Sequence, residues 1–565
     1  MIHRLFCAGA ALLALSARPV GAAPAIDPIP TASIPAGKSL IIPVTATSPS
    51  GLPLTFSASS STNAIGVVIH TNNPFWKFSV VQAATNTAPG AYTTPFRGGT
   101  ETVTNLGDMT FMLFRDLAPH TVDVFQGLTA GGMYTSNTIF HRVIAGFMNQ
   151  GGDPMTNGLG GPVFRYDDEF HPQAIFSGVG QLALANSGAD TDGSQFFVTI
   201  EPYRYGDFTY TIFGQLLRGF NVLTNINNTP VDANSRPLAN VIITKASLVP
   251  DYFDTVITLT GTNLAGASGL IKVIADDGAG GRTTNSFTAK TVADANTEPP
   301  IFFPVTVTNL CGPANKPLTN WVTGYDFAGI TNNWYVWLND ANSQAYATNS
   351  AGYIVSNQLQ IVVVPNSNYV GPISLGFYVS ATPAFSAYEQ TFYTFAFGDT
   401  PIAAQPTNFT ARPLAAFTGQ PLVTFTNGTP NSSATNFTAF INWGDNSTNN
   451  GVITTNSAGR KQVIGSHTYT NPGDYPVYVT LQSWLGASST VVCTSTVLPT
   501  LSFARTATTD VVGWPAWASA FEPVAATNLA APAWVAITNP PALSGYQLLV
   551  TNGSTATNLF LRLRR

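Results

Sequence analysis

The residues with the clearest chemical potential lie in FHRVIAGFMNQGGD, residues 140–153. One permanent cation, Arg142, stands among Phe147, Met148 and the pair Gly151–Gly152, with the amide of Gln150 directed to the same region. A fixed guanidinium beside an apolar floor makes strong hydrogen bonds, because few waters compete for its donors. His141 offers a different chemistry, since histidine is the commonest acid–base residue. It directly precedes Arg142 on a stretch that reads as strand, so its side chain faces the opposite way. His141 is therefore assigned a structural role and Phe140 a place in the core. The question is why a chain poor in charge puts a guanidinium on an apolar shelf.

The 565 residues are enough for three to five domains. Charged residues make up 9% of the chain, against roughly 25% in an average soluble protein. Hydrophobic residues still reach 44%, so cores form and the chain is not of the disordered class. A formal net charge of −5 and the lack of any basic patch exclude nucleic acid as a partner.

The N-terminus combines Arg4, an apolar run from Leu5 to Leu15 and small residues at Val20–Ala22. The run is too short to span a bilayer, so residues 1–22 read as a signal peptide and the mature protein as exported: periplasmic, cell-surface or secreted. Two cysteines remain, Cys311 and Cys493, far apart in sequence and expected to be buried rather than bridged.

Most of the chain reads as short alternating strands between Gly, Pro, Asn and Ser turns, the pattern of β-sandwiches. Residues 30–103 and 249–297 each supply too few strands for a sandwich, about three or four and roughly three, and resemble the two halves of one cadherin-like or immunoglobulin-like domain. The expectation is a split sandwich into which the intervening segment is inserted, with a strand of 38–60 joined to one in 255–295. That segment, 104–248, holds the helix candidates: DLAPHTVDVFQGLTAG beginning near Asp116 and Pro119, and LRGFNVLTNI at 217–226. Beyond 300 the β texture returns as an immunoglobulin-like module at 301–398, a module at 405–498 and a small C-terminal module at 499–565. INWGDNS and GSHTYTNPGDYPVYVTLQS, in 405–498, resemble the polycystic-kidney-disease (PKD) domain with its W-G-D-G and H-x-Y features; Asn446 stands where that pattern has its second glycine.

Five ordered blocks make 104–248 resemble the cyclophilins, the peptidyl-prolyl cis-trans isomerases. They are GDMTFMLFRDLAPHTVDVFQGL, FHRVIAGFMNQGGD, GLGGPVFRYDDEF (in its bacterial form), GQLALANSGADTDGSQFFVT and YTIFGQL. The resemblance implies a mainly β multidomain protein: a cyclophilin-type closed β-barrel with two flanking helices, plus several β-sandwich modules. It implies Arg142 and Gln150 as the catalytic pair. Phe147, Met148 and Phe197 would floor a proline pocket, the Ala185–Asn186 backbone would hold neighbouring peptide groups, and Gln195 would brace Arg142 from behind. Tyr205 falls where many relatives have a pocket Trp, with Gly206 in place of Leu, and Tyr210 where they have His; Phe208 is the candidate to fill the missing Leu volume. Val124 and Ala145 stand in place of a common Asn and a common Pro. DTDGS, Asp190–Ser194, has the acids of a cation loop at family positions of Asn or Pro and reads as a turn.

The implied chemistry answers the opening question. A peptide C–N bond resists rotation by about 18–20 kcal/mol, while the two X–Pro isomers differ by only about 1 kcal/mol. The obstacle is rate, and relieving it needs no nucleophile, acid, metal or cofactor, only a site that favours the twisted amide. Two functions stay open. One is an exported isomerase that assists folding, with proline-containing peptides or unfolded exported proteins as partners. The other is a surface adhesion protein whose cyclophilin fold only grips proline-containing peptides, with cell-surface proteins or glycans bound by the β-modules. A monomer is expected in either case.

Overall fold

The computed structural model describes residues 22–83, 103–134, 138–296, 301–302, 310–314, 316–325, 335–339, 351–355, 358–367, 369–380, 389–428, 432–505, 509–526, 533–537, 539–553 and 560–565. All but the last residue of the stretch read as a signal peptide lies outside these. The protein is mainly β, with two α-helices, α1 (Pro119–Ala130) and α2 (Phe220–Asn227), among the described residues. Neither helix is long and apolar enough to cross a membrane.

The central unit is a nine-stranded sheet ordered 142–144, 148–151, 196–199, 181–184, 212–218, 103–113, 75–83, 241–249 and 138–139. A bridge between Ile139 and Asp153 brings its two ends together into a barrel. Strand Phe75–Ala83, placed by sequence in the first sandwich half, belongs to this barrel, paired with Val103–Leu113 on one side and Val241–Val249 on the other. The reason is its alternation: Trp76, Phe78 and Val80 all point inward and are fully buried beside Phe111, Phe125, Phe140 and Phe196. Trp76 alone touches five aromatic rings with centroids 4.7–5.9 Å away.

Helix α1 follows from Pro119 in its first turn and buried Val122, Val124, Phe125 and Leu128 on one face. Its N-terminal amides are capped from a distance, by the Glu169 carboxylate on His120 N (3.1 Å) and Thr121 N (2.8 Å). Asp116, near which the sequence starts the helix, bonds His70 and Asn73 instead, at 2.6 and 2.8 Å. Helix α2 begins at Phe220, three residues later than read, because strand Ile212–Arg218 keeps pairing through Arg218. Gly219, at φ 100°, makes the turn between the two.

Below the barrel lie a three-stranded sheet, 39–44/255–261/65–70, and a four-stranded sheet, 32–35/282–292/268–276/55–60. Each takes strands from both sides of the barrel segment, and Ser39–Val44 runs antiparallel to Thr255–Gly261. Their shared core holds Ile34, Ile42, Ile65, Leu259, Ile271, Val273 and Phe287. Arg218 of the barrel clamps the junction with both guanidinium arms on Asp254, at 2.6 Å each, and a third bond to the Ala46 carbonyl at 2.8 Å.

Among the described residues, three further pairs of sheets follow. In the second, strands 402–406, 417–427, 452–455 and 461–467 face strands 409–411, 437–442, 448–450, 473–483 and 488–497 around Trp443, Tyr469 and Tyr475. Cys311 and Cys493 are not disulfide-bonded. Burial pushes both thiols up to about 12.

Candidate functional site

Arg142 and Gln150 face each other because Arg142–Ile144 and Met148–Gly151 form a tight antiparallel pair in which they are direct cross-strand partners. Arg142 Nη1 donates to Gln150 Oε1 at 3.4 Å. Gln150 Nε2 in turn donates to Gln195 Oε1 at 3.0 Å. Gln195 Nε2 then donates to the carbonyls of Gly158 and Gly160, at 3.0 and 2.8 Å. Gln195 thus braces Gln150 and reaches Arg142 only through it; an amide of its length ends at Gln150, one strand short of the guanidinium.

The loop at the end of this relay is itself held. Fully buried Asp153 accepts the N–H groups of Met155, Asn157 and Gly158 at 2.7, 2.9 and 2.5 Å. Asn227 of α2 holds the other end of the hairpin, its Oδ1 accepting from Gly146 N at 3.0 Å and its Nδ2 donating to Ile144 O and Asn149 Oδ1 at 2.9 Å each. Neither Asp153 nor Asn227 was singled out by sequence; their signal is only the buried polar side chain, visible once burial is known.

Alternation places His141 on the other face. It is 8% exposed where Arg142 is exposed, and burial lowers its pKa. A neutral, buried imidazole on the far side of the strand takes no part in chemistry at Arg142.

Below the guanidinium, Met148 and Phe197 are buried in a cluster with Phe114, Leu117, Phe176, Ala183 and Ile212, with Phe147, Ala185, Tyr203 and Tyr210 packed on it. Phe176 stacks on Phe197 at 5.7 Å, and Tyr210 meets Phe197 edge-on at 5.3 Å. Ile41 and Val256 of the sandwich back the same cluster, so the floor is built partly from strands that precede and follow the barrel.

One wall differs from expectation. Tyr205 is 88% exposed and points away from the floor. Tyr203, which sequence did not select, takes the wall, its ring 4.4 Å from Phe147 and 5.7 Å from Phe176. The cause is Gly206. In the 3₁₀ turn Arg204–Gly206, a Cβ at residue 206 would come within 2.4 Å of the Tyr203 ring and 3.2 Å of Phe176. Only glycine leaves that space, and Tyr203 fills it. Phe208 does not; it packs with Ile175, Ile301 and Phe170. Arg204 fixes the turn with a hydrogen bond to Asp207 at 2.6 Å and an ion pair with Asp294 at 3.3 Å.

On the opposite wall, Ala185 N–H is engaged by the Gln195 carbonyl at 2.9 Å. The Asn186 side chain ties Thr209 O (2.8 Å) and Asp168 (3.2 Å) rather than reaching into the groove. Asp168, Asp190 and Asp192 converge here, where sequence read a turn. Burial, then Asp167 and Asp168, push Asp190 up to about 6; burial and Asp168 push Asp192 well above the usual range. A raised folded-state pKa means stability is complete below about 4 and lost as pH climbs through 6. Asp190→Asn, which keeps the acceptor for Asp168 N and suits the backbone at φ 58°, is expected to raise stability at pH 7.5 by about 1 kcal/mol, allowing for partial exposure. It is expected to change little at pH 4.5; thermal unfolding at the two pH values checks this.

Residues 100–248 match the family model described as cyclophilin type peptidyl-prolyl cis-trans isomerase/CLD. Peptidyl-prolyl cis-trans isomerase-like 1 of Neurospora crassa is 41% identical over 149 residues, which are 26% of this chain and 91% of that protein. Probable peptidyl-prolyl cis-trans isomerase A of Mycobacterium bovis is 40% identical over 156 residues, 25% of this chain and 86% of that protein. Among solved structures, a Cryptosporidium parvum cyclophilin type peptidyl-prolyl cis-trans isomerase is 33% identical and covered over 99% of its length by 31% of this chain, with a TM-score of 0.25.

Proposed function

As this chain belongs to the cyclophilin-type peptidyl-prolyl cis-trans isomerases and is an enzyme of that activity, we propose that Arg142 and Gln150 are its catalytic residues. Phe147, Met148, Phe197, Tyr203 and Tyr210 would form the groove that seats proline. The observation that carries this reading is the relay Arg142–Gln150–Gln195 lying over the apolar floor.

The mechanism follows from what rotation does to an amide. In the planar peptide the nitrogen lone pair is delocalised into the carbonyl; at the twisted state it is localised and becomes a hydrogen-bond acceptor. A guanidinium donating to that nitrogen therefore binds the twisted state better than either planar isomer, which is the condition for acceleration. Arg142 is exposed before substrate arrives, so the dry surroundings that strengthen its bond come from the bound chain itself, pressed on Phe147 and Met148. Gln150 keeps the guanidinium aimed, and Gln195 keeps Gln150 aimed. Lowering the barrier by about 5–6 kcal/mol gives roughly 10⁴-fold acceleration, with no bond made or broken.

The protein is read as exported, acting on proline-containing peptides or unfolded exported proteins and so assisting their folding. The strands on both sides of the barrel are read as one split cadherin-like or immunoglobulin-like domain, 301–398 as immunoglobulin-like and 405–498 as PKD-like. Support for the last is the Asp445–His467 contact at 2.8 Å and the 4.8 Å stack of His467 on Trp443, which join INWGDNS to GSHTY. The purified full chain is expected to accelerate cis–trans exchange of an Ala–Pro test peptide in a protease-coupled or NMR exchange assay. Tight peptide binding with no acceleration would support the adhesion reading instead.

A further inference from the structure

The module of residues 405–498 is joined to the barrel by interleaved packing. Its Tyr478 is buried within the barrel's own hydrophobic core, and its ring meets His120 of α1 edge-on at 5.0 Å. Ala130 of α1 packs in return against the core of the module. The approach is closest at three glycines. A Cβ on Gly127, in the last turn of α1, would come within 2.5 Å of the Gly444 carbonyl; one on Gly131 would lie 3.1 Å from Asp445 Cα; one on Gly473 would lie 2.7 Å from Ala130 Cβ. Asn471 Nδ2 adds a bond to Gly131 O at 3.2 Å. Glycine is a poor residue inside a helix, and at 127 its place is explained by the backbone lying against it.

The turn that lies on α1 ends in Asn446, whose side-chain oxygen accepts from Val163 N at 2.9 Å, across 283 residues of chain. Asn446 has φ 70°, a conformation in which glycine carries no strain. Val163 belongs to the loop whose Gly158 and Gly160 carbonyls anchor Gln195. A continuous path thus runs from Asn446 through the 158–163 loop and Gln195 to Gln150 and Arg142.

We propose that the 405–498 module is part of the isomerase's catalytic frame, and that Asn446 is a positioning residue that holds the 158–163 loop and, through Gln195 and Gln150, the aim of Arg142. This rests on the assignment of Arg142 as the catalytic residue. Among ordinary tethered domains relative motion is the default unless the interface is large and apolar; here the barrel core contains Tyr478 of the module, and Ala130 of α1 packs against the module's core.

Two substitutions test it in the full chain, each favourable to the fold of its own unit. Gly127→Ala suits a helix but collides with Gly444, and Asn446→Gly suits the positive φ but removes the bond to Val163. Each is expected to lower kcat roughly five-fold with KM within about two-fold, because the proline floor lies elsewhere. The double variant is expected to be no slower than Gly127→Ala alone, and amide exchange over 158–163 to quicken in all three. Wild-type kcat and unchanged exchange in both single variants, alongside an inactive Arg142→Ala, would overturn the inference and leave the site intact. A rise in KM at constant kcat would overturn it too, since that marks a wall of the groove. An active Arg142→Ala would instead overturn the site assignment on which the inference stands.

Discussion

Arg142→Ala is expected to lower kcat/KM for proline isomerisation by roughly 10²–10³-fold, the usual effect of deleting one donor aimed at a transition state. Most of the loss should fall on kcat. The floor of Met148 and Phe197 is buried independently of the guanidinium, so ground-state seating of proline persists. The domain should stay folded, because Arg142 is exposed and, among the described residues, its side chain makes one long hydrogen bond, to Gln150. Peptide isomerisation kinetics on the folded variant check this, and turnover within a few-fold of wild type would exclude Arg142 as the catalytic residue. Arg142→Lys is expected to recover little, since a point-charge ammonium cannot contact Gln150 and the amide nitrogen with the fixed geometry of a guanidinium.

Gly206→Leu, which introduces the residue that the resemblance places there, is expected to damage this enzyme. Its Cβ has no room beside Tyr203, so the Tyr203 ring must leave Phe147 and the wall of the groove opens. An overpacked site of this kind costs about 1–3 kcal/mol, read as a rise in KM of about ten-fold. The double variant Gly206→Leu/Tyr203→Ala rebuilds the volume the other way round and is expected to recover most of the loss. Failure of the double variant while the single one is impaired would show that Tyr203 contributes more than bulk, such as its hydroxyl, whose pKa burial and Tyr210 raise.

Legibility from sequence followed the range of the interactions. The hairpin that pairs Arg142 with Gln150 is local, with three residues of turn between its strands, so residue order alone implied the juxtaposition. The floor residues Phe147, Met148 and Phe197 are apolar, and burial is what apolar residues do. His141 was excluded by strand alternation, a two-residue argument. The strand count on the two sides of the barrel segment was likewise readable, because turn residues punctuate strands wherever they fall.

What escaped was whatever depends on how distant segments meet. Tyr203 and Tyr205 are two residues apart and chemically identical; only the 3₁₀ turn at Arg204–Gly206 decides that Tyr203 enters the groove while Tyr205 faces solvent. Trp76, Phe78 and Val80 alternate as they would in a sandwich strand, and nothing in their order says that the barrel rather than the sandwich claims them. Asp153 is an ordinary polar residue until the 155–160 loop folds over it, and Gln195, named as a brace for Arg142, holds Gln150 instead. Asn446 was visible only as a departure from a glycine, and its partner Val163 lies 283 residues away. Sequence by itself pointed to the chemistry, because the candidate residues sit on one short hairpin and in ordered blocks whose spacing survives any packing. Tertiary structure alone decided which tyrosine packs on Phe147, which sheet takes strand Phe75–Ala83 and which module meets the 158–163 loop, because those choices are settled by long-range steric fit, which leaves no periodic trace in the chain.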